Sequence, residues 1–196
     1  MPSIYSLKPR FQAVLRPIAN RLAAIGVTAN QVTLATCAIS VALGFHLAYG
    51  AGFWLLLPVW LFLRMALNAI DGLLAREHGQ ASRLGALLNE LTDVVADAAL
   101  LLPFAYLPGW NGAWVGTVVM LSGLTELTSV CGQALTGERR NDGPMGKSDR
   151  ALVLGAVAAW VGLGGRASEV IAPVLALLLG MTVYNRARKI LAKEAA

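Results

Sequence analysis

Residues 68–97 read NAIDGLLAREHGQASRLGALLNELTDVVAD. They join two apolar runs. The first extends from Phe53 to Ala75 and carries Arg64, Asn68 and Asp71 in its later half, and the second extends from Leu84 to Tyr106 and carries Asn89, Glu90, Asp93 and Asp97 in its early half. Polar groups are costly in hydrocarbon and are kept where they face a bundle interior or a water-filled cavity. Asn68, Asp71 and Ala75 recur at spacings of three and four, so they share a helical face. Gly85, Asn89, Asp93 and Asp97 recur every four residues, each step turning the side chain by only about 40°. Two apolar helices with oxygen-bearing faces at one level, joined by a short polar segment, predict a membrane hairpin whose polar faces meet.

The rest of the chain extends this reading. Of 196 residues, 57% are hydrophobic and 14% charged, with a mean hydropathy of +0.62; soluble domains carry about a quarter charged residues. That excludes an ordinary soluble enzyme. A spanning helix needs about 20 apolar residues, and the further runs 31–49, 113–135, 151–163 and 170–184 bring the expected spans to six. The fifth is short unless its helix begins at Ser148. Thr28 or Asn30 is placed to cap the first. Before them, Leu7, Phe11, Val14, Leu15, Ile18, Leu22 and Ile25 recur at helical spacing with basic residues between, as in a helix lying on lipid headgroups. Pro17 is expected to kink or split that helix. The expected fold is all-α: one polytopic membrane domain over 1–196, with an amphipathic interfacial arm (1–26) and six transmembrane helices (27–190). A cleavable signal is not evident in the first residues.

Charge placement sets the expected orientation. With a cytoplasmic N-terminus, the cytoplasmic segments hold Lys8, Arg10, Arg16 and Arg21, then Arg76 and Arg83, then Arg139, Arg140, Lys147 and Arg150, then Arg186, Arg188, Lys189 and Lys193. The outer turns hold only Arg166, and Arg64 lies within a span. By the positive-inside rule the protein sits in a membrane, a bacterial inner membrane being the expected one, with both termini and both polar clusters cytoplasmic. The net charge of +5 follows a membrane boundary and forms no basic stripe with stacking aromatics, so nucleic acid is not an expected partner. Cys37 and Cys131 have no metal-ligand spacing.

The facing polar residues suggest chemistry. Carboxylates and amides are oxygen ligands suited to a hard cation such as Mg²⁺, which takes one or two carboxylates and completes its shell with phosphate and water. The small residues Gly72, Ala75 and Gly85 leave room for a ligand or for close helix approach.

From Asp71 the chain reads D-G-L-L-A-R, eight residues, Gly85, seven residues, Asp93. This resembles the signature of the CDP-alcohol phosphatidyltransferases, D-x-x-D-G-x-x-A-R-x(8)-G-x-x-x-D-x-x-x-D, and the preceding G-V-T-A-N-Q-V-T (26–33) is also similar to that family. Asn68 and Asn89 stand where the signature has its first and third aspartates. In the family the four acids hold two divalent metals against the diphosphate. The resemblance therefore implies one firmly held Mg²⁺ or Mn²⁺ here, or a second arriving only with the nucleotide. It implies that a polar alcohol attacks the β-phosphate of CDP-diacylglycerol and that CMP leaves, in phospholipid biosynthesis. By carry-over, Asp93 is the catalytic base and a metal ligand, Asp71 the principal metal ligand, and Asn68 and Asn89 assist. Gly72, Ala75, Arg76 and Gly85 match the nucleotide positions. A homodimer is also implied.

The loop Gly143 to Arg150, GPMGKSDR, precedes an expected helix whose first amides attract anions. It lacks P-loop spacing. Lys147 and Arg150 are candidates for holding the phosphate of a phosphorylated acceptor, or else anionic lipid. Arg64 is expected as a buried counter-charge or as a residue facing a polar cavity. Glu126 either lines the cavity or pairs with another helix, and Glu90 points about 100° from Asn89. Asp97 lies one turn deeper than Asp93. Two other functions stand beside the transferase: a non-catalytic binder of nucleotide-lipid, and a small transporter, which lacks the internal repeat common in such proteins.

Overall fold

A computed structural model describes residues 8–50 and 53–192, and among them there are helices and no strands. In chain order these are α1 (Lys8–Ala24), α2 (Ala29–Tyr49), α3 (Leu56–Glu77), α4 (Arg83–Leu101), a 3₁₀ turn (Leu102–Tyr106), α5 (Gly112–Thr136), α6 (Lys147–Gly162) and α7 (Ile171–Ala192). A helix covers each expected stretch, with shifted ends. Thr28 caps α2 through a reciprocal box with Gln31. The third apolar run does not remain α-helical to Tyr106: Pro103 has no N–H to give, and the chain tightens into the 3₁₀ turn after Leu101. The fifth run starts its helix at Lys147, and the last helix continues to Ala192. Leu7 and Lys193 lie outside the described residues.

Pro17 does not split the arm. It lies inside an unbroken α1, on its exposed side. Leu15 and Ala19 are buried with Phe11 and Leu22 packed around them, against Ile70, Leu73 and Leu74 of α3. Val14, Ile18 and Ile25 instead face outward. A bidentate pair from Arg16 to Glu77 (2.7 and 2.9 Å) and a bond between His78 and Asn20 (3.0 Å) tie the arm to the end of α3.

In the bundle, α3 packs against α1, α2 and α6, while α4 lies between α2 and α5, and α7 covers α5. The larger core, away from the motif end, centres on Phe104, with Trp54 and Trp110 rings at 5.0 and 5.4 Å. Three helices, α2, α3 and α5, are long and apolar enough to cross a membrane. Phe45, Phe62, Val95, Leu127, Leu152 and Leu177, one from each of α2 to α7, are at least half exposed. Such an outward apolar surface on every helix fits a lipid solvent.

Helices α2 and α4 approach closely at Gly44, where a methyl group would stand 2.2 Å from the Ala99 carbonyl oxygen. Backbone cannot yield as a side chain can, so Gly44→Ala forces α2 and α4 apart. The expected cost is about 1–3 kcal/mol, read as a lowered denaturation midpoint in detergent; an unchanged midpoint would show that the helices slide freely there.

Candidate active site

Asp71 lies on α3, one turn after Asn68, and is 6% exposed. The Thr33 hydroxyl of α2 lies 2.9 Å from its Oδ2 and 3.0 Å from the Ala29 carbonyl. The start of α2 is fixed for this task. Gln80, in the α3–α4 connection, accepts from the Ala29 N–H at 2.7 Å, and the Thr28 cap holds the first turn.

Asp93 faces this group from α4. Its Oδ1 accepts from the Asn68 amide at 3.1 Å and from the Arg64 guanidinium at 3.2 Å, and its Oδ2 lies 2.5 Å from the Lys147 ammonium. Asn68 thus bridges the two helices. The two polar faces meet across the hairpin.

A ladder of alternating charge continues inward and around the bundle. Arg64 pairs with Asp97 as well as Asp93, and Arg150 donates to Asp97 at 2.8 Å, Glu126 at 3.0 Å and the Thr125 hydroxyl at 3.0 Å. Arg139 then spans Glu126 at 3.8 Å and Glu90 at 2.5 and 2.9 Å. From Lys147 through Asp93, Arg64, Asp97, Arg150, Glu126 and Arg139 to Glu90, every neighbour is of opposite sign. Alternation lets Arg64 and Arg150, 5% and 3% exposed, stay charged inside the bundle. Arg139, in the α5–α6 loop, is held still more firmly protonated by its hydrogen bonds to Glu90.

The α5–α6 loop presents Lys147. Gly143 has a φ of +124° and sits where a methyl group would meet Thr182 of α7 at 2.6 Å. Met145 is buried, its N–H bound to the Thr182 hydroxyl at 3.0 Å, and the Gly146 N–H donates to Asp149 at 2.9 Å. Arg186 of α7 closes the loop by donating to the carbonyls of Thr125 (2.5 Å) and Asp142 (3.0 Å).

A cavity of about 510 Å³ opens beside these groups. Its walls are apolar, with Phe11 of the arm, Phe62 of α3 and Leu154 of α6. Its polar end carries Arg64, Arg76, Lys147 and Arg150, with Asp97 as the acid among the lining residues.

The sequence profile described as CDP-alcohol phosphatidyltransferase matches residues 26–184. The chain belongs to the CDP-alcohol phosphatidyltransferase family. It is 43% identical over 202 residues to the inner membrane protein YnbA of Escherichia coli K12, covering 98% of each chain. It is 34% identical over 116 residues to a phosphatidylinositol phosphate synthase of Mycobacteroides abscessus, a match covering 58% of this chain and 50% of that protein. The fold matches the Mycobacterium tuberculosis phosphatidylinositol phosphate synthase crystallised with CDP-DAG bound, at a TM-score of 0.70 and 19% identity, covering 91% of this chain and 94% of that one. A structure of the same enzyme with manganese and citrate has a TM-score of 0.69.

In this family member the signature positions separate into two sets. Asn68 and Asp93 meet with Lys147, Asp71 stands one turn along α3 from Asn68 against Thr33, and Arg76 lines the cavity. Gly85 lies against α2 instead: a methyl there would stand 2.8 Å from the Asn30 amide oxygen, so this glycine permits the helices to approach. A methyl on Gly72 would lie 3.0 Å from the Arg76 guanidinium, so its smallness sets where that arginine rests. Asn89 and Ala75 are half-buried, and the Asn89 side-chain amide forms no hydrogen bond among the described residues. Arg150, expected at the acceptor, has its donors engaged by Thr125, Asp97 and Glu126. The sequence reading missed Thr33, although it ends the G-V-T-A-N-Q-V-T segment, and it gave no role to the arm residues that wall the cavity.

Proposed function

We propose that the protein transfers a phosphatidyl group from CDP-diacylglycerol to a polar alcohol at the cytoplasmic side of a bacterial inner membrane, releasing CMP. The observation that carries this is the cavity, which joins apolar walls suited to acyl chains to basic groups, among them Lys147, whose ammonium reaches Asp93. The alcohol oxygen forms a bond to the β-phosphorus as the bond from that phosphorus to the bridging oxygen breaks, and the electron pair leaves with CMP. Asp93 takes the hydroxyl proton. Arg64 and Asn68 hold this carboxylate in place, and Arg76 faces the nucleotide beside Gly72 and Ala75. The six-span arrangement with the arm on the headgroups, and a homodimer, belong to the same reading.

The family is divalent-metal dependent. The residues present fit one such ion: Asp71 has Thr33 as its hydroxyl partner, and the oxygens of Asn68 and Asn89 are available to a hard cation. They do not fit two, since Asp93 is already surrounded by an ammonium, a guanidinium and an amide, and no cluster of three or more acids, histidines or cysteines stands among the described residues. When bound at Asp71, the ion would neutralise charge on the transferring group.

The phosphatidylinositol phosphate synthase relatives and the basic cavity end favour a phosphorylated alcohol as acceptor. Lys147 and Arg76 line the cavity that both substrates would share, whereas Arg150 serves by holding Asp97 and Glu126. Purified protein given CDP-diacylglycerol, a panel of free and phosphorylated alcohols and Mg²⁺ or Mn²⁺ is expected to release CMP and yield one lipid product identified by mass. Nucleotide-lipid binding without CMP release for every acceptor would establish the non-catalytic binder, the reading that the crowding of Asp93 favours.

A further inference from the structure

We propose that Lys147 is a built-in cation for the substrate's diphosphate, standing on the side of Asp93 where a divalent ion would otherwise bind. The inference rests on the transferase reading for its substrate and on geometry for its residue. An ammonium 2.5 Å from Oδ2 takes one lone-pair site of that oxygen, while Asn68 and Arg64 take both sites of Oδ1. A metal ion at the remaining site of Oδ2 would stand beside the like charge of the ammonium.

Lys147 is also built into its position. The residue opens α6, and the chain on both sides of it is fixed: the Met145 amide by Thr182, the Gly146 amide by Asp149, and Arg150 by Asp97 and Glu126. The Lys147 side chain keeps 33% of its surface exposed while it lines the cavity, so its ammonium can bind the carboxylate and an incoming phosphate oxygen together. With three rotatable donors and no acceptor, an ammonium is suited to bridging two anions. Among the described residues no cation stands at hydrogen-bonding distance from the Asp71 carboxylate, whose side-chain partner is Thr33. The site therefore divides its charge neutralisation, with a divalent ion at Asp71 and a lysine at Asp93.

The test is Mn²⁺ titration of the full chain in nanodiscs, followed by electron paramagnetic resonance. Lys147→Met frees Asp93 and is expected to tighten Mn²⁺ binding by roughly 10- to 100-fold, the range over which groups next to a ligand move metal affinity, whereas Lys147→Arg keeps the parent affinity. Equal affinity in the parent and Lys147→Met overturns the proposal. In EDTA, Lys147→Met should weaken CDP-diacylglycerol binding by roughly 10- to 100-fold, the worth of one charge-assisted hydrogen bond. In turnover, excess Mn²⁺ should restore CMP release by Lys147→Met; a raised acceptor KM that no metal concentration corrects would assign Lys147 to the acceptor and overturn the proposal. Parent protein that releases no CMP refutes the transferase reading alone, because the two binding measurements still decide what Lys147 does.

Discussion

Asp93→Asn is expected to lower CMP release by about 10²- to 10⁴-fold, the range for a positioned proton acceptor, while CDP-diacylglycerol binding changes far less. Asparagine keeps the shape of the side chain and an oxygen for Arg64 or Lys147, so the packing of α3 on α4 survives. It loses the ability to take a proton. The comparison substitution is Asp71→Asn, which leaves the proton acceptor intact and removes the principal carboxylate for the ion. The Asp71 variant should recover part of its activity at high Mn²⁺, and the Asp93 variant should not. Initial rates across a metal titration check this; an Asp93→Asn protein with near-parental kcat would move the base elsewhere, with Asp97 excluded because Arg64 and Arg150 hold it.

The hairpin was legible because its signal is local. Four-residue recurrence of Gly85, Asn89, Asp93 and Asp97 fixes a face, and apolar residues around them fix the environment. The pairing of Arg64 with acids followed from the cost of a lone guanidinium in a bundle. What stayed out of reach is set by long-range packing. Arg150 and Asp97 are 53 residues apart, and no periodicity says which acid an arginine on another helix will meet. Arg139 is a case in point: its position beside Arg140 suggests a topology signal, yet it bridges Glu90 and Glu126. Gly85 stayed open in the sequence, its smallness suiting a ligand or close helix approach, and the fold shows Asn30 of α2 against it. The succession of helices was legible from the apolar runs, whereas the start of α6 at Lys147 depends on how the α5–α6 loop packs on Thr182.

Arg150→Met tests whether the charge ladder carries the fold. Arg150 is 3% exposed and joins α6 to Asp97 on α4 and to Glu126 and Thr125 on α5. Removing it leaves Glu126 with Arg139 at 3.8 Å and Asp97 with Arg64 alone. Breaking a buried pair by deleting one partner costs about 3–5 kcal/mol, because the remaining charge stays desolvated. The expected result is a large fall in the denaturation midpoint in detergent, with turnover lost as α6 and Lys147 shift. The combined variant Arg150→Met/Glu126→Gln removes an uncompensated charge together with the arginine and should regain about 0.5–3 kcal/mol over additivity, the coupling expected of contacting residues. If the two substitutions add without coupling, the ladder is a set of independent contacts. In that case Lys147 owes its position to the Gly143–Gly146 loop on α7, and Thr182→Val, which deletes the hydroxyl bound by the Met145 amide, becomes the substitution that displaces it.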